Sequence, residues 1–329
     1  MSDRMMGVYG VKLEPVVALL TDKLAQAATA GPVDVCGWMA RLAFDAIGVC
    51  GFDADFGALL GNTEISAKFE RATKLMLQAI TTLTFAPFAP QWQLRRSFEP
   101  FDATADQLRA SFDPSKSSQE TETRSMLSEL LLAESKGELT VEETNAELRV
   151  MMLAGSETTG LTISWALYLM AKHPRVQAKL SALAGDERKL YVKHIVSESM
   201  RLHPVAFGTS RDTAAPFRFH GVDLPIGTNV TIVFYAMNHD PAIWGDDVEE
   251  FSPERWSARS PTAAEWSPFG FGTRICVGFK FALLEAELAV DAIAKRFRMS
   301  MPADGSGEPV EQLFLTLNPV GLKIVFEEK

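Results

Sequence analysis

Long apolar runs are missing from this sequence. The stretch Leu161 to Met170, among the most apolar, is interrupted by Thr, Ser and Tyr and falls well short of the roughly 20 residues that a membrane-spanning helix needs. No span is expected. Met1 to Gly10 shows neither a charged region followed by an apolar run nor an Arg-rich amphipathic leader, so no targeting signal is read there. Cysteine is scarce, with three residues at positions 36, 50 and 276. They form no even, regularly spaced framework, which argues against a disulfide-stapled secreted domain and favours a reducing compartment. Basic residues are outnumbered, 32 Lys and Arg against 42 Asp and Glu, for a net charge of -10. Broad binding to nucleic-acid phosphates needs the opposite balance, so no nucleic-acid partner is expected. Apolar side chains are abundant instead, at 47% of the chain with 21 Phe and 6 Trp. Such a chain buries a large core and is not a solvated coil.

Helical spacing of apolar residues runs from Gly10 to Val49, with Asp34 placed to cap a second helix through Trp38, Leu42 and Ile47. Glu64 to Ile80 reads the same way. Prolines at 87, 90 and 100 predict an apolar loop from Ala86 to Pro100, and the polar run Asp113 to Thr123 predicts an exposed connector. Thr140 and Glu143 form a capping-box pattern that opens the longest helix, about 140–173, closed by His173-Pro174. That is about 31 residues, on the order of 45 Å at 1.5 Å per residue. Another helix is predicted from about Asp186 to Leu202, stopped by Pro204. Phe217 to His220, Thr228 to Tyr235 and Leu322 to Phe326 read as strands. The sheet content is small and is expected in the last third.

The chemistry concentrates around Cys276, in the run Ser267-Pro-Phe-Gly-Phe-Gly-Thr-Arg-Ile-Cys-Val-Gly-Phe-Lys-Phe-Ala282. Gly270 and Gly272 allow a turn denied to residues with a Cβ. Arg274 and the start of a helical pattern bias the thiol toward thiolate, the metal-binding form. Gly278 leaves room for a flat ligand against the helix. The plain alternative is a small core cysteine in a glycine-rich turn. Zinc is poorly supported, with no second Cys nearby and no His close by in pair with it. Phosphate-loop patterns cannot be written through these glycines.

These residues resemble the haem-binding signature FxxGxRxCxG of the cytochrome P-450 superfamily, matched at Phe269, Gly272, Arg274, Cys276 and Gly278. The resemblance implies a mainly α fold with small β-sheets (α+β) and haem b held by the Cys276 thiolate, which favours O–O cleavage. It further implies that Phe269, Gly270, Val277, Gly278 and Ala282 line the cofactor and that Arg274 pairs with a propionate.

Two further segments support it. Ala154-Gly-Ser-Glu-Thr-Thr-Gly160 reads on its own as a small-residue patch for close helix packing, at a point where a long helix would distort. It is also similar to the family's oxygen-activation sequence [AG]Gx[DE]T. That likeness implies that Thr158 hydrogen-bonds dioxygen, that Glu157 helps deliver protons, and that Ala154 and Gly155 pass close over the haem. Glu198-Ser-Met-Arg201 reads alone as an ordinary solvated i,i+3 pair. With Pro253-Glu-Arg-Trp256 it resembles the family's ExxR and PERF pair, which implies a structural network of Glu198, Arg201 and Arg255, with Trp256 in place of Phe. Arg211 matches a position that reaches a second propionate.

The resemblance covers residues from about 10 to the C-terminus, and residues 1–329 are expected to form one catalytic domain with the haem-binding loop at 268–279. It also implies an N-terminally incomplete domain, lacking its N-terminal strands and first helices. An open edge near Thr228 to Tyr235 and weak haem binding are expected in consequence. The implied activity is a monooxygenase acting on a small apolar organic substrate with O2. Its electrons come from an NADPH-dependent reductase or a ferredoxin-type donor. Alternatives are a haem-thiolate isomerase or dehydratase acting on peroxides, or a non-catalytic remnant. Location stays open, although full-length relatives are often anchored to the endoplasmic reticulum membrane facing the cytoplasm.

Overall fold

The computed structural model describes residues 2–61, 91–112, 124–313 and 315–329. Helix α1 (Asp3–Ala28) is capped by Ser2 and leads through the two-residue strand β1 (Val33–Asp34) into α2 (Val35–Gly51). As expected, the Asp34 side chain caps α2, accepting from Gly37 N at 3.3 Å. The helix expected at Glu64 to Ile80 and the connector at Asp113 to Thr123 lie outside the described residues.

Helix α3 (Gln91–Ser111) corrects the loop expected up to Pro100. Proline removes one backbone donor and crowds the preceding turn. The helix nevertheless continues past it, because Phe101, Ala105 and Leu108 recur at helical spacing and are all buried. Helix α4 (Met126–Ser135) follows, and Arg109 of α3 forks onto the Glu134 carboxylate with two bonds of 2.7 Å.

The longest helix, α5 (Val141–Lys172), begins with the expected capping box, in which Glu143 N donates to Thr140 Oγ1 and Thr140 N donates to the Glu143 carboxylate. Its 32 residues span about 48 Å. From Ile163 to Ala171 every residue is buried, so this half of the helix is enclosed on all sides. The helix runs unbroken through residues 154–160, where distortion was expected. Its hydroxyls bond back to carbonyls one turn earlier, Ser156 to Met152 and Ser164 to Gly160, without displacing the helical ladder. A helix missed by the sequence reading, α6 (Pro174–Ala182), starts with proline at its first turn, where the absent N–H costs nothing. Helix α7 (Gly185–Leu202) follows as expected.

Among the described residues, four small antiparallel sheets account for the strands. β2 (Gly208–Asp212) pairs with β5 (Asn229–Val233), and β3 (Phe217–Phe219) pairs with β4 (Val222–Leu224). After the short helices α8 (Phe234–Asn238), α9 (Pro241–Trp244) and α10 (Arg255–Ala258) comes α11 (Phe279–Arg296). The chain ends with β6 (Phe297–Ser300), β7 (Val310–Leu313), β8 (Leu317–Val320) and β9 (Lys323–Glu328). β9 lies between β6 and β1, so one strand comes from the N-terminal part of the chain, a departure from the expected confinement to the last third. The main core gathers Trp165 and Met170 of α5, Ile195 of α7 and Val290 of α11. A second cluster joins Tyr9, Phe44, Phe56 and Phe281. Helices α5, α7 and α11 thus meet in the interior, and the candidate site lies where they diverge. No helix among the described residues is long and apolar enough to cross a membrane.

Candidate functional site

The loop before α11 is shaped by two glycines in left-handed backbone, Gly270 at φ +73° and Gly272 at φ +67°. Cys276 N donates to Phe269 O at 2.9 Å and Gly270 N to Ser267 O at 3.0 Å, closing the loop on itself. This closure turns Cys276 and its neighbours outward. Cys276 is exposed with a free thiol, and Val277 is 71% exposed. At Gly278 an added Cβ would meet only the Cys276 sulfur, at 3.9 Å. Arg274 is exposed, and its guanidinium has no hydrogen-bond partner among the described residues.

A cavity of about 340 Å³ is lined jointly by this loop and the middle of α5. Phe269, Gly270, Arg274, Cys276, Val277 and Gly278 line one side, with Phe281, Ala282 and Ala286 of α11 below them. Ala154, Thr158 and Thr162 line the other side. Their spacing of four residues puts them on one helix face. The Thr158 hydroxyl donates to Ala154 O and the Thr162 hydroxyl to Thr158 O, both at 2.9 Å. With their protons committed to the helix, these hydroxyls have lone pairs left to offer. The third wall comes from Val196 and Met200 of α7, the segment Pro204 to Ala206, Thr209 and Phe234.

Gly155 also lines the cavity, but the place of its missing side chain is taken by Ile47 of α2, 3.1 Å from where a Cβ would stand. Gly160, five residues later, does the same work against the backbone of Met39, at 3.0 Å. The close-packing reading is therefore correct for both glycines, while Ala154 and Thr158 face the cavity.

Two of the expected site residues lie away from the cavity lining. Glu157 turns toward the segment before β8, where its Oε1 accepts from the Thr316 hydroxyl at 3.0 Å. Burial pushes its carboxyl above the usual range, and that hydrogen bond pulls it down. Arg211 is exposed on β2, and its Nη1 folds back to donate to Thr209 Oγ1 at 2.9 Å and Ser210 O at 2.7 Å. A long, flexible cation at the surface satisfies itself on its own strand.

The pair Glu198 and Arg201 is wholly enclosed, both side chains being 0% exposed, which corrects the solvated-face reading. Arg201 forks onto Glu198 with bonds of 3.0 and 2.9 Å and donates to Asn238 O at 3.0 Å. Arg255 reaches Glu198 at 3.4 Å and pairs with Asp247 at 2.9 Å. The Trp256 indole N–H also donates to Glu198, at 2.9 Å. A phenylalanine could not do this, so the substitution adds a donor to the network.

Sequence reasoning missed Thr162, Thr209 and the Pro204 to Ala206 segment. Thr162 was legible as the next i+4 position after Thr158, whereas the others reach the cavity only through the tertiary fold.

The residues present suit a haem. Among the described residues no group of three or more His, Cys, Asp or Glu could hold a metal ion. The exposed thiol, the apolar floor and the unpaired Arg274 match a flat apolar ligand with anionic edges.

Comparison with known proteins agrees with this. The family model "Cytochrome P450" matches residues 12–326. The chain is 34% identical over 175 residues to cytochrome P450 CYP13A7 of Caenorhabditis elegans, covering 48% of this chain and 34% of that protein. It is 30% identical over 197 residues to cytochrome P450 CYP72A616 of Paris polyphylla, covering 55% and 38%. Against cytochrome P450 714B2 of Oryza sativa subsp. japonica it is 30% identical over 210 residues, covering 59% and 40%. The matched stretches thus span between about a third and two fifths of these relatives' own lengths. By the extent of the family match and by its cavity, the chain belongs to the cytochrome P450 family, whose prosthetic group is haem b carried on a cysteine thiolate.

Proposed function

We propose that this chain is a haem-thiolate monooxygenase that inserts one oxygen atom of O2 into a small apolar organic substrate and releases the other as water, at the cost of two electrons and two protons. Electrons are supplied by an NADPH-dependent reductase or a ferredoxin-type donor. The observation that carries the reading is that an exposed Cys276 thiol and the Ala154–Thr158 face of α5 line one mainly apolar cavity. When bound, haem supplies the reduction and splitting of O2, with the thiolate donating electron density to the iron.

The chain's own residues supply the rest. Cys276 anchors the group, and Phe269, Gly270, Val277, Gly278 and Ala282 bound the space it fills. Arg274 offers its unpaired charge to an anionic edge, and Arg211 is close enough in sequence to the lining residue Thr209 to offer a second by rotating off its own strand. Ala154 keeps the wall low, while Thr158 presents a hydroxyl that accepts in place and donates on releasing Ala154 O. Glu157, adjacent on α5, is the carboxyl that holds and delivers protons. Met200, Val205 and Phe234 exclude water and favour an apolar substrate. The Glu198–Arg201–Arg255 network carries no reacting group and holds α7 to the segment before the Cys276 loop.

The test is turnover by the haem-loaded protein with an apolar substrate. Product formed only with O2, a reductase and NADPH supports the proposal. Conversion of a hydroperoxide without reductant, and no reductase-driven product, would replace it with the isomerase or dehydratase reading.

A further inference from the structure

Thr316 is enclosed, only 5% exposed, although it stands in the connection between two strands. The next residue, Leu317, is fixed through both of its backbone groups. The Trp165 indole of α5 donates to Leu317 O at 3.0 Å, and Leu317 N donates to Val205 O at 2.9 Å. The first anchor belongs to the helix that carries Glu157 and the second to a residue lining the cavity.

The direction of the Thr316 hydroxyl follows from its neighbours. The Asn318 side-chain nitrogen lies 2.9 Å from Thr316 O and 3.0 Å from Thr316 Oγ1. A backbone carbonyl can only accept, so the group facing it is the amide NH2, and the hydroxyl oxygen accepts from the same group. The single hydroxyl proton is then free for Glu157 Oε1, 3.0 Å away. Asn318, Thr316 and Glu157 form a relay with one polarity, and its terminal donor favours the charged form of the carboxyl.

We infer that Thr316, oriented by Asn318, is a positioning residue that holds Glu157 in place and favours its carboxylate form, the form that takes up a proton. The inference rests on the reading of Glu157 as the proton-delivering group. Burial alone would favour a neutral carboxylic acid, which cannot take up a further proton. The Thr316 hydroxyl opposes burial, and no charged side chain among the described residues enters the balance. A carboxyl that cycles protons works best with its pKa near the working pH. The relay tunes it from outside the cavity, leaving the cavity wall free for substrate.

The experiment is an infrared titration of the Glu157 carboxyl in the haem-loaded full chain, with its band identified by disappearance in Glu157→Gln. Thr316→Val keeps the shape and removes the donor. It is expected to raise the titration midpoint by about one pH unit, the worth of one net hydrogen bond. Thr316→Ser restores the midpoint, and Asn318→Ala moves it part of the way. An unchanged midpoint in Thr316→Val, or a Thr316→Ser variant shifted as far as the valine variant, overturns the inference while leaving any role of Glu157 standing. The underlying reading is tested separately. If Glu157→Gln leaves the pH profile of product formation unchanged, Glu157 delivers no protons and the positioning role falls with it.

Discussion

At Cys276 the local sequence is nearly sufficient to explain the geometry. Two glycines at positive φ and the Cys276 N to Phe269 O bond form a knuckle that points the sulfur outward. The fixed spacing of the five motif positions therefore announced both the turn and the thiol. Glu198 and Arg201 show the opposite case. Their i,i+3 spacing is common on solvated helix faces, and nothing local distinguishes them. Only the fold reveals that Asn238, Trp256, Arg255 and the backbone near Glu250 close over the pair. Removing one member of a buried pair leaves an uncompensated charge, which costs about 3–5 kcal/mol. Glu198→Gln is accordingly expected to lower the unfolding free energy by that order in denaturant titration. A loss under 1 kcal/mol would show that the enclosure contributes little. Arg211 illustrates a limit of motif transfer, since its position matched while its side chain rests on Thr209 and Ser210.

Among the elements, α5 was the most legible, because its capping box and the His173-Pro174 stop are written in adjacent residues. Pro100 misled by the same kind of local rule. A proline's penalty of about 3 kcal/mol is offset when a face such as Phe101, Ala105 and Leu108 is buried behind it. The small residues of α5 separate into two jobs that sequence alone superimposes. Ala154 and Thr158 face the cavity, while Gly155 and Gly160 admit α2. Gly160→Val should push α2 off α5, because its Cβ would begin 3.0 Å from Met39 O and its methyls would come closer. The expected loss is about 1–3 kcal/mol of stability, read from the shift in thermal unfolding midpoint. An unshifted midpoint would mean that the two helices have slack between them.

The whole molecule carries a second feature that no motif predicted. Glu285 of α11 is 0% exposed, both its oxygens lack a hydrogen-bond partner among the described residues, and burial pushes its carboxyl up to about 8 from 4.5. A carboxyl whose pKa is raised by folding favours the folded state most below its unfolded value. That contribution is lost as pH rises from about 4.5 through about 8. Glu285→Gln removes the titration. The stability of this variant relative to the parent should therefore climb by about 1.4 kcal/mol per pH unit across that window. Denaturant melts at pH 5, 6, 7 and 8 check this, and a constant difference would show that Glu285 is solvated or paired in solution.

β2 and β5 pair only with each other among the described residues, and β5 is at least partly exposed throughout. The central claim, that sulfur at position 276 binds haem iron, is tested most directly by the absorption spectrum of the reduced protein with carbon monoxide. The account predicts the red-shifted band of a thiolate-ligated haem, lost in Cys276→Ala. The same band in that variant, or its absence from the haem-loaded parent, would contradict it.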